Sequence, residues 1–173
     1  MKTTAKNYAG SAIIAQLKAA EIKFVAAVPD IVTSDGLLWP IAGDPDIRLL
    51  RISREAEGIP ICAAMSYNGT RAIVLMQQTG LMDTLNEVRA IAIDYRLPIV
   101  MMVGLQGKED DCLPEFSGSY GVRVVIPVLC AMELPFSLIE HAEHISVIRR
   151  QIDWGYRRSR PHVILLGQSP ELP

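Results

Sequence analysis

The segment Arg54-Glu55-Ala56-Glu57-Gly58 places two carboxylates where an apolar strand pattern, Arg48-Leu49-Leu50-Arg51-Ile52, gives way to a helical one. A carboxylate at the carboxyl end of a strand in an α/β sheet faces the crevice where such folds bind ligands. There it can share a proton with a bound heteroatom. A carboxylate in the first turn of a helix is also an ordinary dipole and capping partner. Both readings apply to Glu55 and Glu57, and residues two apart on a helix turn to different faces.

Other strand ends carry polar groups. Val28-Pro29-Asp30, Gln77-Gln78-Thr79-Gly80 and Gly104-Leu105-Gln106-Gly107 each follow an apolar run. Asp30 is a ligand contact or a cap for the next helix. Thr79-Gly80 is a site turn or an ordinary helix start, with Thr79 as cap. Gln77 and Gln78 offer amide hydrogen bonds in either case. No G-x-G-x-x-G, P-loop or nucleophile elbow occurs, so neither dinucleotide binding, P-loop chemistry nor serine hydrolysis is signalled. His141 and His144 stand three apart on an expected helix, a spacing that admits a metal, but no third ligand is evident and a solvated face is the simpler reading. His162, opening a strand, reads as structural. The arginines at 149, 150, 157, 158 and 160 read as the outer face of the last helix, with an anionic partner as the alternative.

These groups need a scaffold to hold them. Apolar spacing predicts helices over 8–21, 53–67, 81–95 and 138–157, with a shorter one through Leu37 and Leu38 capped by Thr33 or Ser34. Strands are expected at 24–28, 48–52, 72–76, 98–103, 122–126 and 162–166. Asn68-Gly69 should stop the second long helix. Residues 104–119, rich in Gly, Asp and Pro, read as a long loop or lid. Continuous apolar strands alternating with helices imply an open, doubly wound, mostly parallel six-stranded α/β sheet with helices on both faces. The site then belongs at the strand carboxyl ends. No repeat or linker divides the 173 residues, so a single domain, 1–173, is expected.

Composition bounds the partners. The formal net charge of −2 gives no basic field for nucleic acid. Half the residues are apolar, yet no run approaches the ~20 residues of a membrane span. Residues 1–7 are polar and lack the apolar stretch of a signal peptide, so a cytoplasmic setting is expected. Cys62, Cys112 and Cys130 are widely spaced and read as reduced, buried thiols.

Pro29-Asp30, Arg54-Glu55-Ala56-Glu57-Gly58, Val74-Leu75-Met76-Gln77-Gln78-Thr79-Gly80-Leu81 and the stretch from Pro98 to Gly104 occur in order with suitable gaps. This ordered set resembles the pyrimidine-binding domain of thiamine diphosphate-dependent 2-oxo acid decarboxylases, most of all those acting on sulfopyruvate and phosphonopyruvate. The likeness runs from Tyr8 to Leu166. It implies a carboxy-lyase giving CO2 and an aldehyde, with a glutamate hydrogen-bonded to N1′ of the cofactor's aminopyrimidine. Counting back from Asn68-Gly69, that role falls on Glu55. It also implies that Gln78, Thr79 and Gly80 border the cofactor and that Pro29, Asp30 and Gln106 border the substrate.

Two departures modify the picture. Acidic-substrate relatives tend to carry an arginine where this chain has Gln106, and an amide does not replace a guanidinium's charge; Lys108 replaces it only in part. The family's Gly-Asp-Gly segment for Mg²⁺ is also missing, since Gly43-Asp44-Pro45 is a poor match and no cluster of oxygen ligands stands near it. A separate diphosphate-binding subunit is therefore expected to bring Mg²⁺, in a hetero-oligomer inactive without it. The rival expectations are a carboligating thiamine enzyme subunit and a non-catalytic α/β binding or regulatory module.

Overall fold

The computed structural model describes residues 8–172; the polar 1–7 segment lies outside the described residues. Six parallel strands form one open sheet: β1 (Phe24–Ala27), β2 (Arg48–Arg51), β3 (Ala72–Gln77), β4 (Val100–Gly104), β5 (Phe136–Ile139) and β6 (His162–Leu166). Their order is β2-β1-β3-β4-β6-β5, all pairs parallel. Successive side chains on a strand point to opposite faces, so each central strand feeds two cores. Val25, Ala27, Leu75, Met102 and Leu166 pack under α1 (Gly10–Ala19), α8 (Ile145–Arg158) and the turn before α2 (Trp39–Ala42). Ala26, Val74, Met76, Met101 and Val163 pack under α3 (Glu55–Tyr67), α4 (Gln78–Asp83) and the helical segment after it, and α7 (Val125–Ala131). All five residues of β4 and of β6 are buried. That explains their unbroken apolar runs, since a strand covered on both faces needs no polar alternation.

The doubly wound sheet matches expectation, and so does the end of α3, where Gly69 takes φ 70° after Asn68. Several elements differ. Residues 122–126 are helical, split between α6 (Tyr120–Arg123) and α7. Their β-branched run imitates a strand, but Val122, Val125 and Leu129 are buried at helical spacing. The fifth strand is instead Phe136–Ile139, at one edge of the sheet, and the long helix expected from 138 begins at Ile145. The helix expected from 81 starts at Gln78, then runs through α5 (Leu85–Glu87) into a π-helical stretch, Val88–Ile93. Thr33 and Ser34 do not cap the segment before α2; Asp30 does, its carboxylate accepting from the Val32 and Thr33 amides and the Thr33 hydroxyl. Of the thiols only Cys62 is buried, and burial pushes it up to about 12. Cys130 is exposed on α7 and Cys112 partly so.

The two ends of the described chain meet. The Gly10 amide donates to Glu171, and the Glu171 amide donates to Tyr8. The buried Tyr8 phenol donates to the Gln168 carbonyl at 2.7 Å. Among the described residues no helix is long and apolar enough to cross a membrane.

The sheet's topology creates a crevice. The chain leaves β1 for the face carrying Leu37, Leu38 and Ile41, and leaves β3 for the face carrying Leu81 and Val88. Adjacent parallel strands whose connections diverge to opposite faces open a cleft at their carboxyl ends. Here Asp30 stands on one side and Gln78 to Gly80 on the other.

His162 is structural, as its strand position implied. Burial lowers it to about 4; Nε2 lies 3.1 Å from the Ser137 hydroxyl and Nδ1 has no partner. A histidine held neutral in the folded state binds a proton more readily when unfolded. Its contribution is therefore complete above the unfolded value near 6.5 and is lost as pH falls toward 4. Stability should decline across that window with a slope of up to roughly 1.4 kcal/mol per pH unit from this group. His162→Gln should flatten the decline in urea unfolding measured between pH 7 and 4.

Candidate functional site

Glu55 is the first residue of α3, and Arg54, in extended conformation, is its N-cap position. The two carboxylates are used differently. Glu57 is exposed and bends back so that its Oε2 accepts from the Ser53 amide at 3.0 Å, satisfying a free donor at the helix start. Glu55 is half-buried, and no hydrogen bond reaches its carboxylate among the described residues. It lies across Gly80 of α4: a Cβ at Gly80 would collide with Cγ, Cδ and Oε1 of Glu55. The glycine leaves the space in which the Glu55 carboxylate lies, and a side chain there would displace it. Behind the pair, Gly58 packs on Val74 and Ile52, and Ile59 is fully buried. A carboxylate positioned on an apolar floor, with its oxygens uncommitted, fits a ring nitrogen that shares a proton with it.

Gln78 and Gln106 come together without sharing a side-chain contact. Gln78 is buried; its Nε2 donates to the Gln106 carbonyl at 2.8 Å and its Oε1 accepts from the Gln106 amide at 2.7 Å. The amide expected to face the cofactor is therefore engaged in pinning the chain after β4. Gln106 keeps its own side chain unbonded among the described residues. Thr79 is exposed at the second position of α4 and does not cap it; its hydroxyl accepts from Gln77 Nε2 at 2.6 Å. Pro29 and Asp30 border an open depression of about 370 Å³ with Ile31, Ser34 and Asp35. Asp30 serves as both wall and cap.

The 104–119 segment is stapled. Glu109 accepts from the Ser117 hydroxyl at 2.6 Å and the Gly118 amide at 2.8 Å, bonds that hold its carboxyl below the usual range, the serine foremost. Arg123 donates to the carbonyls of Ser117 and Gly118. Lys108 turns inward, its side chain fully buried and its ammonium 3.1 Å from Glu140 Oε2. The pairing of Lys108 with Glu140 was not expected. No spacing reveals it, because the partners sit after different strands, β4 and β5, that are joined only through β6. The His141 and His144 rings lie tilted to one another with centroids 5.5 Å apart, and His144 Nδ1 accepts from the Glu140 amide. Among the described residues no three His, Cys, Asp or Glu groups are placed to hold a metal ion. A larger cleft of about 670 Å³, beside Trp154, Arg158 and Arg160, lies at the amino ends of β5 and β6, away from these groups.

Fold and site together define an α/β protein whose ligand crevice holds an uncommitted glutamate at a helix start. No protein-family model matches the chain. It is 30% identical over 159 residues to the α subunit of sulfopyruvate decarboxylase from Methanothermobacter thermautotrophicus, spanning 91% of this chain and 94% of that one. The Methanosarcina acetivorans sulfopyruvate decarboxylase is 23% identical over 75% of this chain but only 33% of its own length. Among solved structures, a 2-oxoglutarate:ferredoxin oxidoreductase from Magnetococcus marinus shares the fold, with a TM-score of 0.68 at 12% identity over 92% of this chain and 28% of its own. The chain belongs to the sulfopyruvate decarboxylase α-subunit family, within the thiamine diphosphate-dependent 2-oxo acid decarboxylases.

Two substitutions test the geometry. Alanine favours a helix over glycine by about 1 kcal/mol, so Gly80→Ala has no propensity reason to destabilise α4. It should nonetheless weaken thiamine diphosphate binding in the reconstituted complex by about tenfold or more, equivalent to roughly 1.4 kcal/mol, because it displaces Glu55; calorimetric titration reads this. Gln78→Ala should lower unfolding stability by about 1–3 kcal/mol, since it strands two backbone groups of Gln106.

Proposed function

We propose that this chain is the pyrimidine-binding subunit of a hetero-oligomeric thiamine diphosphate-dependent carboxy-lyase, one domain over its whole length. The reaction is decarboxylation of a small 2-oxo acid: the substrate carboxylate leaves as CO2, a proton takes its place on the former carbonyl carbon, and an aldehyde is released. Thiamine diphosphate, when bound, supplies the carbon nucleophile and the electron sink. This chain's residues bind, orient and hold protons. Glu55 shares a proton with N1′ of the aminopyrimidine. Gly80 leaves the room that Glu55 occupies, and Thr79 borders the ring. Gln78 acts through the main chain of Gln106. Pro29, Asp30 and Gln106 form the substrate side of the crevice.

The observation that carries this reading is the Glu55 carboxylate, seated on Gly80 with both oxygens uncommitted at the strand carboxyl ends. Relatives named as α subunits support a partner polypeptide. Within the same proposal, Mg²⁺ and the diphosphate are assigned to that partner. Soluble, cytoplasmic operation belongs to the same proposal.

Glu55→Gln in the reconstituted complex should lower kcat by roughly 10²-fold or more while assembly and cofactor occupancy persist. Glu57→Ala should leave kcat within about twofold and cost only a cap's worth of stability, about 1 kcal/mol. Undiminished turnover by an assembled, cofactor-loaded Glu55→Gln complex would falsify the assignment.

A further inference from the structure

A cleft of about 280 Å³ lies between the loops that follow β1, β4 and β6, and Ile31 joins it to the depression beside Asp30. Its wall and that of the depression bear three carboxylates, Asp30, Asp35 and Asp110, and one cation, Lys108. That cation is spent: its side chain is fully buried and its ammonium is committed to Glu140. Neither Arg54 nor Arg123 lines either cavity: Arg54 forms an exposed pair with Asp83, and Arg123 donates to the carbonyls of Ser117 and Gly118. Arg51, at the end of β2, borders a separate depression on the outer edge with Lys23 and Arg48. The wall this chain contributes is therefore negative.

The unpaired polar atoms of the same region point the same way. Gln168 lines the cleft, is 8% exposed, and its Oε1 has no donor. Glu140, also 8% exposed, packs against Gly167 of the cleft wall and leaves its Oε1 without a donor. Buried acceptors without donors are costly, and a ligand that brings donors relieves the cost. Gln106, fixed by its backbone and free in its side chain, adds an uncharged amide at the mouth.

Resting on the decarboxylase reading above, we propose that Gln106, Gln168 and the masked Lys108 set the substrate class. The substrate is a 2-oxo acid whose distal group donates hydrogen bonds and carries no negative charge, such as a carboxamide or hydroxyl. This separates the chain from relatives named for sulfopyruvate, whose distal group is an anion. Within these two cavities an anion meets carboxylates and acceptor oxygens, and no accessible ammonium or guanidinium lines their walls in compensation.

The test uses the complex with its partner subunit, thiamine diphosphate and Mg²⁺. CO2 release is measured from sulfopyruvate, 2-oxosuccinamate and hydroxypyruvate. The expected result is a kcat/KM at least tenfold higher for the carboxamide or hydroxyl substrate than for the sulfonate, mainly through KM. Gln106→Arg should reverse part of that preference, raising kcat/KM for sulfopyruvate relative to 2-oxosuccinamate by at least tenfold. Equal or better use of sulfopyruvate by the unmodified complex overturns the substrate class while leaving the decarboxylase intact. So does a Gln106→Arg complex with an unchanged ratio. An assembled, cofactor-loaded complex that releases CO2 from none of the three overturns the decarboxylase reading and this inference with it.

Discussion

One carboxylate resting on one glycine organises the crevice. Glu55 opens α3 after the edge strand β2, and Gly80 sits in α4 after the central strand β3. The two helices lie on the same face of the sheet and share its apolar floor. Because Gly80 has no side chain, the acid occupies the space where a Cβ would stand. Glu57 takes over the capping that a helix start demands, and this division of labour leaves Glu55 uncommitted. The chemistry proposed for Glu55 and the capping of the helix start thus fall to different residues.

The rest of the crevice is built by fixing main chain. Gln78 holds Gln106, Asp30 holds the turn after β1, and Glu109 with Arg123 holds the loop after β4. Each clamp consumes a polar side chain that by position alone looks available to a ligand. What remains uncommitted is correspondingly sparse: the Glu55 carboxylate, the Gln106 amide and two buried acceptor oxygens, on Gln168 and Glu140. The 104–119 loop is hydrogen-bonded near both ends, and its tip presents the exposed Leu113 and Phe116.

The sequence was most informative where one physical demand dominates. Strands covered on both faces need unbroken apolar runs, so β1, β3, β4 and β6 were legible to within two or three residues. Glu55 and Gly80 were legible as polar and small residues at strand ends. The failures have identifiable causes. β-branched residues at 122–126 pass for a strand because short apolar runs carry no period, and helical burial at 122, 125 and 129 emerges only from packing. The edge strand at 136–139 was hidden by its partial exposure. Long-range pairs such as Lys108 with Glu140, and the choice of Gln78 to bind main chain, depend on which strands lie side by side, which no local pattern encodes.

The meeting of the first and last described turns, through Tyr8, Gly10, Gln168 and Glu171, has an evolutionary corollary. Polypeptide added before residue 8 or after residue 172 would depart from almost the same spot. That spot adjoins Gln168, on the rim of the proposed binding crevice. A covalent tether from either side would thus emerge beside that crevice. Gene fusion and subunit separation become neighbouring solutions to one architectural problem, with little rebuilding of the fold needed to pass between them.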